Sequence, residues 1–386
     1  MDLVPSPQEV ALRRQVRAFI QKELSPETHR KMLEGRVPSR EEVVAWQRTL
    51  NRRGWATPSW PKQWGGPGWS PIERAIFFDE LHQAPAPEPV SFNVAMLGPV
   101  LIRYGTEEQK SRFLPATANL DIWWCQGFSE PGAGSDLAAV RTTGVRMSGG
   151  ADDYFLINGH KIWQGMAHHA NWMFILVRTD PNASKRQAGL TFLLLDMTLP
   201  GVNVRPIITI DGRHEVNEVF LDDVRVPVDC LVGIENDGWT MTKALLSNER
   251  TNIARIGMTK HILRRIKTIG SEDASVAKRA AAIEAELRVL EVTQLRILTA
   301  QSGVDGADPR SSILKLKGVE LRQAASELLM QAVGTASLRA DPAGPEAIAN
   351  PVGTALPNYA ILRAASIYGG ASEIQKTIIA KSVLGL

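Results

Sequence analysis

Cysteine is almost absent from this chain of 386 residues: Cys125 and Cys230 are its only two. Two cysteines cannot build a disulfide framework, and their spacing is not that of a metal site. An excess of one charge is missing as well. The 44 Lys and Arg are interspersed with 41 Asp and Glu, so no nucleic-acid footprint appears. No apolar run comes near the roughly 18 residues of a membrane span, and Met1-Asp2-Leu3-Val4 does not begin a leader peptide. Internal repeats and low-complexity tracts are also lacking. Together these absences point to a cytoplasmic protein with neither membrane nor nucleic acid as a partner.

What is present is ordinary for a globular protein of two or three domains, with 44% hydrophobic and 22% charged residues. Ser6-Pro-Gln-Glu9 is a capping box with proline at the first helical position, and Leu12, Val16, Phe19 and Ile20 follow at helical spacing. Ser39-x-x-Glu42, Ser70-Pro-x-Glu73 and Thr106-x-x-Gln109 repeat the device, which predicts helices as far as residue 115. The tryptophans of the Pro/Gly-rich stretch Trp55–Trp69 want burial, so it reads as an ordered loop packing these helices together. A wall of a substrate channel is the alternative.

From Trp123 the period changes to two. Val140–Val145, Tyr154–Ile157, Trp172–Val177, Leu190–Leu195 and Val216–Phe220 read as strands, and Asn158-Gly159 as a hairpin signal. No strand–helix alternation occurs, so an antiparallel β domain is expected. Apolar helical periodicity then returns in Leu245–Ile266, Ala274–Gln301, Ser311–Leu338 and Pro357–Leu384, the pattern of a four-helix bundle. The expected fold is mainly α with a β domain: an N-terminal helical domain (1–119), a middle β domain (120–235) and a C-terminal bundle (236–386).

The stretch Phe128-Ser-Glu-Pro-Gly-Ala-Gly-Ser-Asp136 can be neither regular helix nor central strand. From its glycines alone, a tight turn explains it better than a cofactor site. Its company is Ile157-Asn-Gly-His-Lys-Ile-Trp163, then Asn236-Asp-Gly-Trp239, then Ile367-Tyr-Gly-Gly-Ala-Ser-Glu-Ile-Gln375. In this order and spacing the four stretches resemble the acyl-CoA dehydrogenase family of flavoenzymes, from Val10 to Leu386. The resemblance implies FAD held between domains and subunits, an acyl-CoA substrate, and electrons leaving to an electron-transfer flavoprotein.

Site residues follow from the same matches. Ser129 matches the hydroxyl that bonds the flavin pyrimidine edge, with backbone contacts from Gly127 and Phe128; seen alone, Ser129 is as readily a turn-former. Ser135 matches a contact to the CoA chain, with capping of the next turn by Ser135 or Asp136 as the alternative. Trp163 matches a flavin wall, flanked by Gln164 and by Gly165, where the family normally has Ser or Thr bonding flavin N5. His168-His169 invites a metal reading, but adjacent side chains do not naturally converge on one ion, and no metal is expected. Many members carry a catalytic glutamate directly after the tyrosine corresponding to Tyr368. Here that position is Gly369, whose backbone N–H can still donate to a thioester oxygen. A minority place the base on the first bundle helix in a Glu-Arg pair, which matches Glu249-Arg250. Glu249 is therefore the expected base, with Arg250 and Tyr368 meeting substrate; alone, Glu249 would read as a solvated surface residue.

Three departures concern the half-site that reaches a neighbour's cofactor. The Arg-x-x-Phe-Gly element is replaced by Ile266-Lys-Thr-Ile-Gly270. A Gln-x-x-Gly-Gly-x-Gly element survives only through Gln331 and Gly334, and the threonine before Ser372 is Ala371. Unpaired buried phosphate would be costly, which favours a second, different subunit in an α2β2 assembly over a homotetramer. In this the chain looks like the large subunits of heteromeric members, such as pimeloyl-CoA and bacterial steroid side-chain acyl-CoA dehydrogenases. The expected reaction is α,β-dehydrogenation of a bulky, branched or ω-functionalised acyl-CoA. A non-catalytic partner subunit and an acyl-CoA oxidase are the alternatives.

Overall fold

The computed structural model describes residues 5–148, 153–249, 254–270, 273–300, 308–338 and 354–386. The N-terminal helices are α1 (Pro7–Glu23), α2 (Pro26–Glu34), α3 (Arg40–Arg52), α4 (Pro71–Gln83), α5 (Gly98–Tyr104) and α6 (Glu107–Ala118), with a π-helical turn, Phe92–Leu97, leading into α5. All four capping boxes form. Ser6 Oγ accepts from Glu9 N at 3.2 Å while Glu9 Oε2 accepts from Ser6 N at 2.7 Å, and the Ser39, Ser70 and Thr106 caps repeat this. Each such cap is worth about 1 kcal/mol. The Trp55–Trp69 loop packs as expected: Trp55 and Trp60 are buried, and Trp60 Nε1 donates to Val94 O at 2.8 Å. A Cβ on Gly98 would lie 2.1 Å from the Trp60 ring, so only glycine lets α5 pass beneath it.

Among the described residues the β region is one seven-stranded sheet in the order β1-β4-β2-β3-β7-β6, with β5 also on β4. Its strands are β1 (Trp124–Gly127), β2 (Thr143–Met147), β3 (Tyr154–Gly165), β4 (Trp172–Arg178), β5 (Leu190–Asp196), β6 (Val202–Ile208) and β7 (His214–Pro227). It is mostly antiparallel, but β1 runs parallel to β4 and β2 touches β4 in parallel at Thr143–Arg178, which the antiparallel expectation missed. The long excursion between β1 and β4 supplies the crossover that parallel pairing requires. Asn158-Gly159 is no hairpin turn either. It lies within β3 at a bulge, Asn158 hydrogen-bonds Asp223 at 2.9 Å, and a Cβ on Gly159 would lie 2.3 Å from Thr142 Oγ1. The glycine there serves close packing rather than chain reversal.

The last region contains α7 (Gly238–Glu249), α8 (Ile256–Ile269), α9 (Ala274–Ala300), α10 (Ser311–Val333), α11 (Ala355–Ile361) and α12 (Ser372–Ile379). The expected helix Leu245–Ile266 is thus shared by α7 and α8, with Arg255 left-handed at φ 44° before α8. Pro357–Leu384 is interrupted because Gly369 and Gly370 take φ of 64° and 84°, a conformation no helix continues through. Leu263, Ile266, Leu287, Leu290, Leu314 and Leu328 centre the core of the bundle. Among the described residues no helix is long and apolar enough to cross a membrane.

Candidate active site

Strand β1 ends at Gly127, where a Cβ would lie 2.3 Å from Met173 Sδ, so the strand can enter the sheet there only without a side chain. The Phe128 ring then turns into the core, edge-on to Phe174 at 5.8 Å and Phe192 at 6.1 Å. Only its backbone remains for a ligand. The Ser129 carbonyl accepts from Ile162 N at 3.0 Å and Gln164 Nε2 at 3.4 Å, which ties the Gly/Pro-rich segment to β3.

Beneath Ser129 lies a pair that the sequence reading passed over. Lys161 Nζ sits 2.9 Å from Glu130 Oε1 and also donates to Phe128 O (3.2 Å) and Leu176 O (2.8 Å). Glu130 further accepts from Arg141 N, Thr142 N and Thr142 Oγ1 at 2.6 to 2.9 Å. Burial pulls the Lys161 ammonium down to about 8 against the pull of Glu130. Burial also opposes the charge on Glu130, but Lys161 and the surrounding donors hold that carboxyl below its ordinary value. The signal was available: Phe155, Ile157 and Lys161 share the inward face of β3 at period two.

At Trp163 the pairing of β3 with β7 slips: Ile162 faces Glu218 and Gln164 faces Asn217, leaving Trp163 as the extra residue of a β-bulge. It takes φ 68° and is 58% exposed. A large ring lifted clear of a sheet by strained backbone is a platform, not core. Gln164 beside it is buried; its Nε2 donates to Ile162 O at 2.8 Å, while its Oε1 has no partner. A side chain on Gly165 would place Cβ 2.8 Å from Phe92 Cζ. Phe92 fills the space a serine or threonine would need, and its π-helical turn packs against α7, the helix ending in Glu249. The exposed indole, the orphaned carbonyl oxygen and the fixed Ser129 backbone fit the edge of a flat heteroaromatic cofactor such as a flavin.

Ser135 and Asp136 are exposed on the same segment; neither caps the next turn, and Asp136 pairs with Arg186 at 3.3 Å. His168 stacks on His214 with ring centroids 3.9 Å apart and lies 4.0 Å from His169, and Asn217 links His214 and His168. Burial first, then the neighbouring histidines, pushes His168 down to about 4. Among the described residues no group of three His, Cys, Asp or Glu is placed to hold a metal.

The Tyr368–Gly370 turn is gripped from two helices. Lys315 Nζ donates to Gly370 O at 2.7 Å, and Gln375 Nε2 reaches Gly370 O at 3.2 Å and Gly369 O at 3.4 Å. Tyr368 is 47% exposed. Glu249 is the last residue of α7, but its side chain and the whole of Arg250 lie outside the described residues. Gln331 lies instead on the bundle surface, where it accepts from Arg279 at 2.6 Å and donates to Asp273 at 3.2 Å and Ser275 at 3.1 Å. Gly334 is the positive-φ cap of α10 at 70°. Ala371, standing at the N-cap of α12, offers no side-chain cap.

Comparison with known proteins covers nearly the whole chain. Three family models match in succession: the acyl-CoA dehydrogenase N-terminal domain over residues 6–121, the middle domain over 125–224 and the C-terminal domain over 236–384. The acyl-CoA dehydrogenase IpdE1 of Mycobacterium tuberculosis is 36% identical over 364 residues, 90% of this chain and 88% of the relative. FadE29 of the same organism is 34% identical over 390 residues, 98% of this chain and 97% of its own. Among solved structures, the ChsE4-ChsE5 complex from Mycobacterium tuberculosis has TM-score 0.84 at 32% identity, covering 100% of this chain and 99% of that one. The Tcur3481-Tcur3483 steroid ACAD has TM-score 0.86 at 28% identity with the same coverage.

Proposed function

The chain belongs to the acyl-CoA dehydrogenase family, and on that premise we propose that it introduces an α,β double bond into a bulky, branched or ω-functionalised acyl-CoA thioester. It is an acyl-CoA dehydrogenase and its cofactor is FAD, which supplies the hydride acceptor when bound. The observation that carries the reading is Trp163, raised on its bulge between Ser129 and Gly165. In this reading Ser129 and the backbone of Gly127 and Phe128 hold the pyrimidine edge. Trp163 forms a wall, and Gln164 and Gly165 face the same ring system.

Glu249 takes the proton from Cα. A carboxylate enclosed by cofactor and acyl chain loses water, which raises its pKa towards the working pH. Gly369 donates its backbone N–H to the thioester oxygen, and the grip of Lys315 and Gln375 on this turn supports a fixed donor. Arg250, Tyr368 and Ser135 meet the substrate. Electrons pass to an electron-transfer flavoprotein. The bulky acyl group is supported by the likeness to the Tcur3481-Tcur3483 steroid ACAD.

The same neighbours are two-protein complexes, which supports a second subunit in an α2β2 assembly. Gln331 and Gly334 are the remnant of the element that reaches a neighbour's cofactor. In this chain Gln331 is tied down by Arg279, Asp273 and Ser275, which supports a partner that supplies those contacts.

The test uses the chain co-expressed with its genomic neighbour. Anaerobic addition of substrate acyl-CoA bleaches the flavin of the wild type. Glu249→Gln keeps the flavin but slows bleaching about 10²- to 10⁴-fold. Trp163→Ala weakens flavin retention, yet changes the stability of the flavin-free protein by less than about 0.5 kcal/mol, as expected at an exposed site. Unchanged bleaching in Glu249→Gln would favour a non-catalytic subunit.

A further inference from the structure

We infer that Arg322 is the seat of a carboxylate carried by the acyl group of the substrate, reached past Tyr368. The inference rests on the proposed acyl-CoA reaction and deepens it by naming the substrate class as ω-carboxyacyl thioesters.

Arg322 lies on α10 and is 2% exposed, and its Nε and Nη1 have no hydrogen-bond partner. A buried guanidinium with empty donors is among the least favourable groups a fold can hold, because the charge has lost its water without gaining an anion. The groups facing its charge are Tyr368 first, then Arg255 and Glu88. Glu88 is already engaged: it contacts His82 Nε2 and pairs with Arg255 Nη2 at 3.1 Å. Two arginines therefore share one carboxylate, and the donors left over belong to Arg322.

In this reading the approach to those donors runs past Tyr368. Tyr368 is half-exposed and directly precedes Gly369, the residue read as holding the thioester oxygen. Arg322 thus lies behind the turn at which the thioester would be held. A neighbouring cleft of about 110 Å³ between α4, α8 and α9 touches His82 and Arg255 but is a weaker candidate. Its charges are satisfied, with Arg13 on Asp79 at 2.8 Å and Lys260 on Asp79 at 3.4 Å. The planar fork of an arginine suits a carboxylate, which would take up two donors at once.

The experiment takes the flavin-loaded complex and pairs of acyl-CoA thioesters of matched length, one ending in a methyl group and one in a carboxylate. Wild type is expected to favour the carboxylate-ended member by about 10- to 100-fold in kcat/KM. R322M brings that ratio close to one, and R322K, which keeps the charge without the fork, leaves an intermediate ratio. The ligand-free R322M protein melts no lower than wild type, because a buried unpaired cation has been removed. No preference in wild type overturns the inference. Equal losses on both members of a pair assign Arg322 to the phosphates of CoA and overturn it too, as does loss of flavin from both variants. If no thioester is oxidised, the proposed reaction fails and binding decides alone. A larger thermal shift with the carboxylate-ended thioester in wild type but not in R322M supports the seat, and equal shifts refute it.

Discussion

Lys161 and Glu130 form a buried ion pair at 2.9 Å directly beneath Ser129, with neither side chain more than 7% exposed. Together with the hydrogen bonds to the Ser129 carbonyl, it fixes the Gly/Pro-rich segment to the sheet. Breaking a buried pair by removing one partner costs about 3–5 kcal/mol, since the survivor keeps its charge without compensation. Lys161→Met should therefore lower the urea-unfolding free energy by that amount and weaken flavin retention through the displaced Ser129 backbone. Adding Glu130→Gln should recover part of the stability. Strictly additive losses in the double-mutant cycle would show that the pair is not coupled.

Gly165 and Phe92 make a second test. Restoring the hydroxyl that the family normally carries, by Gly165→Ser, forces Cβ to within 2.8 Å of Phe92 Cζ. Overpacking of this kind costs about 1–3 kcal/mol. Phe92→Leu alone should also destabilise, but the double variant should be more stable than the sum of the two losses predicts. A melting curve of Gly165→Ser indistinguishable from wild type would mean that Phe92 can move aside freely.

Stability should fall on the acid side in two stages. His168 and His261 are depressed from 6.5 to about 4, in each case by burial first and by neighbouring charge second. The fold favours their neutral forms, so this contribution is complete above about pH 6.5 and is lost as pH falls towards 4. Burial opposes the charge of Glu88, but Arg255 and then His82 overcome it and hold the carboxyl at about 2 against an ordinary 4.5. Its contribution, about 3 kcal/mol, is complete above pH 4.5 and disappears as pH falls towards 2. Urea titrations at fixed ionic strength should show the decline beginning below about pH 6.5 and steepening below about 4.5. Glu88→Gln should make the second stage shallower. A free energy that stays level down to about pH 4.5 would contradict the histidine assignments, and one that does not steepen between about 4.5 and 2 would contradict the Glu88 assignment.

Local signals carried much of the fold. The Ser6, Ser39, Ser70 and Thr106 boxes each start a helix, because a cap is decided within four residues and needs nothing distant. Period-two stretches gave five of the strands for the same reason, and the four motif stretches together gave the family. Asn158-Gly159 shows the limit. The dipeptide permits a turn, but Thr142, just before β2, and Asp223 of β7 decided that β3 continues through it with a bulge.

Tertiary structure alone decided the rest, because the deciding partners lie far apart in the chain. Phe92 explains Gly165 across 73 positions, arriving from a π-helical turn that no periodicity announced. No local pattern marks Arg322 or Glu88; the fold buries one with two donor nitrogens unpartnered and gives the other two basic partners. Sequence fixes which residues can donate, accept or titrate. Whether a charge ends up paired or orphaned depends on what the packed elements leave beside it, and that is settled only when burial removes the water.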